Sequence, residues 1–475
     1  MHGSTISSTA VSPSEANLRM GYIWIIAFVA ALGGLLFGYD WVVIGGAKPF
    51  YEAYFHLTSA AESGWANSCA LVGCFIGSLC AGRLSDRIGR RPGLILSASL
   101  FAISSAMTGW SFSFASFISW RIVGGTAIGL ASSISPLYIA EISPAQWRGR
   151  LVSLNQLALV IGILAAQIAN WRIAHNVPDK ATVAMIAASW NATTGWRWMF
   201  TAVAVPSLLL LFTAPFIPES PRWLMAHGRE VDAAEILTKI GGPSYSAQEL
   251  SAIRRSLHHS EKSAFLPALR SSSMRRILLV GIGLAVLQQG SGINVLFNYA
   301  EDVYRSAGYG VSDVLFNIVI TGTINLLFTL VAMFTVDRFG RRALMLAGCI
   351  GVGIAHIAAS LAFRAGVKGT LVLVFTLAAI ACYAASLAPV TWVLISEIFP
   401  NRIRAAAMSV TVATLWIASF VLTYTFPLLN MAFGTAGTFL AYGIFCLIGA
   451  VFVYFSVPET KGRSLEAIEL LEERQ

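Results

Sequence analysis

Asp40 follows about twenty consecutive uncharged residues that begin at Met20, and Arg121 is the one cation in the otherwise apolar run from Phe114 to Ala140. An unpaired anion in an apolar medium is expensive, so Asp40 needs a partner or a proton. Arg121 can be that partner, and a carboxyl whose guanidinium neighbour moves changes its affinity for a proton. Asp40 and Arg121 are therefore expected to couple proton uptake to a change of shape; the alternative is a static structural bridge. A second set is Gln288, Gln289 and Asn294, with Gly290 and Gly292 between them. Each amide both donates and accepts, which suits a neutral ligand rich in hydroxyls; the alternative is hydrogen bonding between helices. On an ideal helix Asn294 lies about 240° around from Gln288, so unwinding at the glycines is expected to bring the amides together. The rings of Trp392 and Trp416 could cover the apolar face of a bound ring.

The elements that must position these residues are membrane helices. Of 475 residues 56% are hydrophobic and only 12% charged, and the mean hydropathy is +0.70, whereas soluble domains carry roughly 25% charge. At about 20 residues per crossing, we read twelve spans near 21–46, 60–82, 92–112, 115–140, 150–174, 197–217, 276–302, 311–336, 343–364, 370–396, 404–428 and 433–456. The chain then divides into a tail at 1–20, a six-helix bundle at 21–217, a helical linker at 218–275, a second six-helix bundle at 276–456 and a tail at 457–475. Placing both termini on one side puts 24 of the 32 Lys and Arg there, 7 on the other side, and Arg121 alone within a span. Cationic loops favour the cytoplasmic face, so both tails and the linker are expected inside. That topology accounts for the net charge of +9, and the basic loops lack the aromatic interleaving of a nucleic-acid site. The first twenty residues have no basic start and lead into too long an apolar run for a cleaved signal. The six cysteines fall in predicted spans without metal-ligand spacing and are expected to act as small apolar side chains.

The charged loops repeat. Gly82-Arg-Leu-Ser-Asp-Arg-Ile-Gly-Arg-Arg91 returns as Val336-Asp-Arg-Phe-Gly-Arg-Arg342, Glu141-Ile-Ser-Pro-Ala-Gln-Trp-Arg148 as Glu397-Ile-Phe-Pro-Asn-Arg-Ile-Arg404, and Pro218-Glu219 as Pro458-Glu459. Three motif pairs in one order, each roughly 250 residues apart, mark a parallel duplication of a six-helix unit. Asp86, Arg90, Arg91, Glu141 and Arg148 in the first copy, and Asp337, Arg341, Arg342, Glu397 and Arg404 in the second, are expected to form ion-pair locks. Topology alone would call for the arginines but not for the carboxylates.

These motifs, with Arg121-Ile-Val-Gly-Gly125, Pro136-Leu-Tyr-Ile-Ala-Glu141 and Gln288-Gln-Gly-Ser-Gly-Ile-Asn294, resemble the sugar porter family of the major facilitator superfamily over essentially the whole chain. That family includes bacterial proton-linked sugar symporters and facilitative glucose transporters. The resemblance implies an all-α fold of two pseudo-symmetric halves around a cavity that opens alternately to each side, a monomeric functional unit and no cofactor or metal. It implies a sugar site of Gln156, Ile163, Gln288, Gln289, Asn294, Asn325 and Trp392, walled by Phe37, Phe297 and Trp416, with Tyr299 at the outer gate. It further implies that the charged clusters join helix ends in the outward-facing state and part when the cavity opens inward. An acid at the position of Asp40 is common in the family's proton symporters, where facilitators carry a neutral residue.

Departures from the family pattern are Leu415 where an amide is usual, Ala388 in place of a glycine before Pro389, and Asn298 in place of the first of two tyrosines. Ile163 and Phe297 resemble the glucose-transporting members more than the xylose-specific ones. The expected function is proton-coupled symport of a hexose, D-glucose, across a bacterial inner membrane. Xylose, galactose or inositol as substrate, facilitative uniport and a sugar-sensing role remain open. An enzyme is excluded on motifs: there is no phosphate-binding Gly-x-x-x-x-Gly-Lys loop, zinc signature or nucleophile elbow. Carrying the repeat offset inward places Asp40 on 291–296, which holds Asn294, and Arg121 on 372–377, which holds no charge. One ancestral position is thus expected to have become a proton site in one half and a sugar contact in the other.

Overall fold

Each long apolar run forms a helix that the sequence itself starts and stops. Ser59 opens the second span by accepting from the Glu62 N–H, while the Glu62 carboxylate takes the Ser59 N–H, a reciprocal cap that satisfies two orphan donors. The computed structural model describes residues 18–178, 182–258, 271–399 and 404–459. No strand occurs among the described residues, and eleven of their helices are long and apolar enough to cross a bilayer. The last of these, Arg404–Ser456, has 53 residues. Run straight it would extend about 80 Å, over twice the hydrocarbon thickness. It is broken at Gly434, whose φ of 67° and ψ of 170° leave the helix, and its two segments supply the eleventh and twelfth spans.

Three boundaries differ from expectation. The first span runs Met20–Phe55, well past residue 46 and through Pro49, and so carries Lys48 into the buried interior. The sixth span starts in a π-turn at Asn191–Gly195, which brings in Arg197. Arg121 is therefore not the only cation within a span. Arg197 donates to the carbonyls of Gly109 and Ser111, both at 2.9 Å, where the third helix ends and its dipole is negative. The third difference is in the tenth span, which breaks at Ser386 between Thr370–Ala385 and Leu387–Glu397. Pro389 explains this break, because it has no N–H for the Ala385 carbonyl and its ring crowds that turn.

Outward-facing surfaces are apolar: Phe28, Phe212, Phe334 and Phe455 are more than half exposed, as lipid-facing side chains are and those of a water-soluble protein rarely are. Between the sixth and seventh spans lie Pro221–Ala226 and Glu230–His258. Leu237 and Ile240 of the longer helix are buried, and the Ile240 carbonyl accepts from the Arg19 N–H at 2.8 Å. This holds the linker under the start of the first span. Between the halves, the second span packs on the eleventh and the fifth on the eighth. Of the cysteines, Cys80 is exposed.

Candidate functional site

The seventh span is helical from Ser272 to Gly290 and again from Ile293 to Asn298. Gly292 joins the segments at φ 78°, a left-handed conformation that strains any residue with a Cβ. The break falls where the two glycines predict it. It aligns the amides into a ladder: Asn294 donates to Gln289 Oε1, Gln289 donates to Gln288 Oε1 at 3.4 Å, and Gln288 donates to the Ala388 carbonyl at 3.3 Å. All three side chains are buried. The backbone freed at the break is taken up by His356, whose Nε2 lies 2.9 Å from the Ser291 carbonyl.

Of the other residues expected at the site, Phe297, Ile163, Asn325 and Trp416 are buried, as is Leu415, and Phe37 and Trp416 meet at 5.8 Å between ring centroids. The Trp416 indole N–H has no partner among the described residues, so the wall carries an unused donor. Gln156 and Asn325 make no side-chain hydrogen bond with the described residues. Trp392 stands apart: it is 36% exposed, and no ring contact ties it to the Phe37–Trp416 pair.

Asp40 and Arg121 meet in the first half, Oδ1 to Nη1 at 3.1 Å, with both residues almost fully buried. Gly124 leaves room beside the carboxyl: a Cβ there would sit 3.5 Å from Asp40 Oδ2. The Arg121 guanidinium lies 5.4 Å from the Phe200 ring centre. Oδ2 and Arg121 Nε are buried without a partner among the described residues. A single hydrogen bond therefore joins the two charges, and each keeps unused bonding capacity.

On the face that carries the chain ends, Arg90 grips Glu141 with Nε at 2.9 Å and Nη2 at 3.0 Å, and Asp86 at 3.1 Å. Arg341 reaches Glu397 at 3.3 Å. Arg148 and Arg404 instead donate to the carbonyls of Ala140 and Phe399. The Asp337 side chain lies outside the described residues. Arg91 and Arg342 take part chiefly through their backbones. Glu219 accepts the N–H groups of Arg90 and Arg91, and Glu459 accepts those of Arg341 and Arg342. Each carboxylate caps a helix start, where the dipole is positive, and each cap follows a glycine of positive φ, Gly89 at 101° and Gly340 at 87°. The repeated Pro-Glu dipeptides were the signal for these two residues. Among the described residues these ion pairs each stay within one half. The pairs described for these clusters bind helix ends of a single bundle, where the expectation places locks between the halves.

The halves are instead tied at the opposite face. Lys48 of the first span reaches Asp302 at 3.0 Å, Glu301 at 3.6 Å and Glu52 at 3.1 Å. Arg305 holds Glu301 at 2.9 Å and Ser63 donates to Glu52. Lys48 also lies 5.9 Å from the Tyr299 ring centre, and the Tyr299 hydroxyl donates to the Thr423 carbonyl at 2.7 Å. Ser312 accepts from the Val177 N–H at 3.1 Å, and Trp65 meets Phe420 edge-on at 6.1 Å. Nothing in the sequence marked Lys48, because the first span was read as ending before it.

A family model described as "Sugar (and other) transporter" matches residues 26–471. The D-xylose-proton symporter of Escherichia coli is 38% identical, over 96% of this chain and 97% of that protein. A glucose transport protein of Synechocystis is 41% identical over 96% and 98%. A partially occluded inward-open structure of the xylose transporter XylE from E. coli superposes with a TM-score of 0.82 at 36% identity, covering 94% of this chain and all of that one. By sequence over nearly its whole length, and by a fold of twelve membrane helices in two halves, the chain belongs to the sugar transporter family.

Proposed function

We propose that the protein is a secondary active transporter that carries a monosaccharide, a hexose and specifically D-glucose, together with protons by alternating access. The observation that carries this reading is the buried pair of Asp40 and Arg121 in one half, set against a ladder of uncharged amides in the other. Asp40 takes the proton and Arg121 tunes its release. Gln156, Ile163, Gln288, Gln289, Asn294, Asn325 and Trp392 hold the sugar, with Phe37, Phe297 and Trp416 as walls. The amides exchange bonds with one another for bonds with hydroxyls, so no charge is stranded when the site empties. The xylose and glucose named for the relatives support a monosaccharide. D-xylose is the second reading, favoured by the proton symporter named for it.

The bundles at 21–217 and 276–456, joined by the linker at 218–275, are the rocking units, and one monomer is a functional unit. Both tails are cytoplasmic and the membrane is a bacterial inner membrane, supported by the 24 of 32 cations on that side. The closed far face and the likeness to an inward-open relative support a state in which the sugar site opens toward the cytoplasm. Lys48, Glu301, Asp302 and Tyr299 then form the shut outer gate. The cytoplasmic sets of Asp86, Arg90, Arg91, Glu141 and Arg148, and of Asp337, Arg341, Arg342, Glu397 and Arg404, regroup across the halves when that side closes.

Proteoliposomes with an imposed pH gradient test the reading. With the lumen initially alkaline, labelled glucose should accumulate while the lumen acidifies, because sugar and protons enter together. Sugar flux that ignores the gradient would make the protein a facilitator, and uptake of xylose with none of glucose would reject the hexose.

A further inference from the structure

The stripe of the fifth span that carries Gln156 and Ile163 continues to Gln167. Residues seven and eleven positions beyond Gln156 fall within about 20° of it on an ideal helix, so the three side chains leave the helix in nearly one direction. Gln167 stands about 6 Å beyond Ile163 toward the far face. It is 1% exposed, and neither its Oε1 nor its Nε2 has a partner among the described residues. Three positions further along, Asn170 spends its amide on structure, donating to the Val43 carbonyl at 2.9 Å. Gln167 makes no such use of its own.

Its neighbour lies in the other half. A Cβ at Gly322 of the eighth span would sit 1.8 Å from Gln167 Oε1 and 3.2 Å from Leu164, so the glycine leaves the space that the amide occupies against that helix. Gly322 is three residues before Asn325 and about one turn nearer the far face. The contact therefore lies between the sugar site and the shut gate, on the seam where the halves separate. A buried amide with both polar atoms unpaired is unfavourable by the desolvation of each atom, and such a group is retained where another state supplies its partners. Leu415, buried beside Trp416, offers no hydrogen bond on its side of the site.

We infer that Gln167 is a further sugar-contacting residue, which hydrogen-bonds one ring hydroxyl of the monosaccharide from the far side of the site when the fifth and eighth spans part. This rests on the sugar-site reading above. It makes the first half a contributor of two amides, Gln156 and Gln167, to a site whose other amides come from the second half.

The test is equilibrium binding of D-glucose, D-xylose and the monodeoxy-D-glucose series to the purified full-length protein and to Gln167→Leu. Leucine keeps much of the volume and removes both polar atoms. The expected result is glucose affinity three- to tenfold weaker in the variant, the range for one neutral hydrogen bond. One deoxyglucose should bind wild type and variant alike, because its missing hydroxyl is the one Gln167 meets. The melting temperature should hold or rise, since an unpaired buried amide is gone. Gln167→Met repeats the measurement with a different shape. Unchanged affinity in both variants, or an equal loss for every sugar in the series, overturns the assignment while leaving the sugar site intact. A wild-type protein that binds neither glucose nor xylose overturns the sugar site and this inference together.

Discussion

The two halves of the molecule are alike at the ends of their helices and unlike at their centres. At the face of the chain ends, Glu219 caps Arg90 and Arg91 just as Glu459 caps Arg341 and Arg342, and Arg90 pairs with Glu141 as Arg341 does with Glu397. At the centre, one half buries an ion pair and the other a ladder of neutral amides. The repeated ends perform a packing task that both halves share: closing a tight turn and satisfying the first N–H groups of a helix. On the proposed function the interior sites have separate tasks, and nothing in the packing obliges them to stay equal. Changes at the centre should therefore have different consequences in each half, and matched changes at the ends should have the same one.

The largest expected effect breaks the comparison at its most unequal point. Asp40→Asn removes the proposed proton site but keeps a hydrogen-bonding group opposite Arg121, so accumulation against a gradient should vanish while sugar exchange continues. Uptake and counterflow in proteoliposomes measure the two separately. Uphill accumulation by Asp40→Asn would remove the coupling role and leave the pair as a structural bridge. Next in size is Lys48→Met. Glu52 and Asp302 would lose their cation while Glu301 keeps Arg305, and removing one partner of a buried pair is strongly destabilising, up to about 3–5 kcal/mol. Glu52 and Asp302 are partly exposed, 19% and 31%, which reduces the expected shift to about 2 kcal/mol, roughly thirtyfold toward a far-face-open state. Labelling of a cysteine placed at Ser312 should speed up accordingly, and an unchanged rate would deny Lys48 its part in the gate.

Asn294→Ala sharpens the contrast from the other side. It removes an amide with no charge to compensate, so the affinity for sugar should fall about tenfold, near 1.4 kcal/mol, with the dependence on the pH gradient kept. Binding and gradient-driven uptake together check this. A loss of gradient dependence would mean that the two interior sites are not separable.

The sequence made the repeat, the number of spans and the break at Gly290 to Gly292 legible, because apolar period, charge bias and glycine each act locally. The amide ladder followed from the break. What it hid lay in the ends of helices. The first span is expected to end near residue 46, yet it continues through Pro49 to Phe55 and carries Lys48 inward. A proline within a helix costs one backbone bond, which tertiary packing can outweigh. Glu219 and Glu459 were visible as repeats but had no role until the backbone of the third and ninth spans came to meet them. The locks are expected between halves, whereas among the described residues Arg90–Glu141 and Arg341–Glu397 each lie within one half. Trp392, assigned by resemblance, is exposed where Ile163, Gln288, Gln289, Asn294 and Asn325 are buried and Gln156 is half-buried. Neighbour spacing cannot reveal which side chains face a cavity that changes shape.

The smallest expected effects test the equality of the ends. Glu219→Gln and Glu459→Gln each keep an acceptor oxygen but remove the charge that meets two backbone N–H groups and a helix dipole. Such capping charges contribute about 0.3–1 kcal/mol at exposed sites and somewhat more when partly buried. Each variant should therefore lower the melting temperature slightly and slow transport two- to fivefold, with sugar affinity almost unchanged, because neither carboxylate touches the site. The comparison requires that the two losses agree within about 0.5 kcal/mol and that the double variant show their sum, since the carboxylates cap helices of separate halves and accept from different N–H groups. A double variant much worse than the sum would mean that the two ends communicate in the transport cycle. That outcome would turn a pair of equal structural caps into one device spanning both halves.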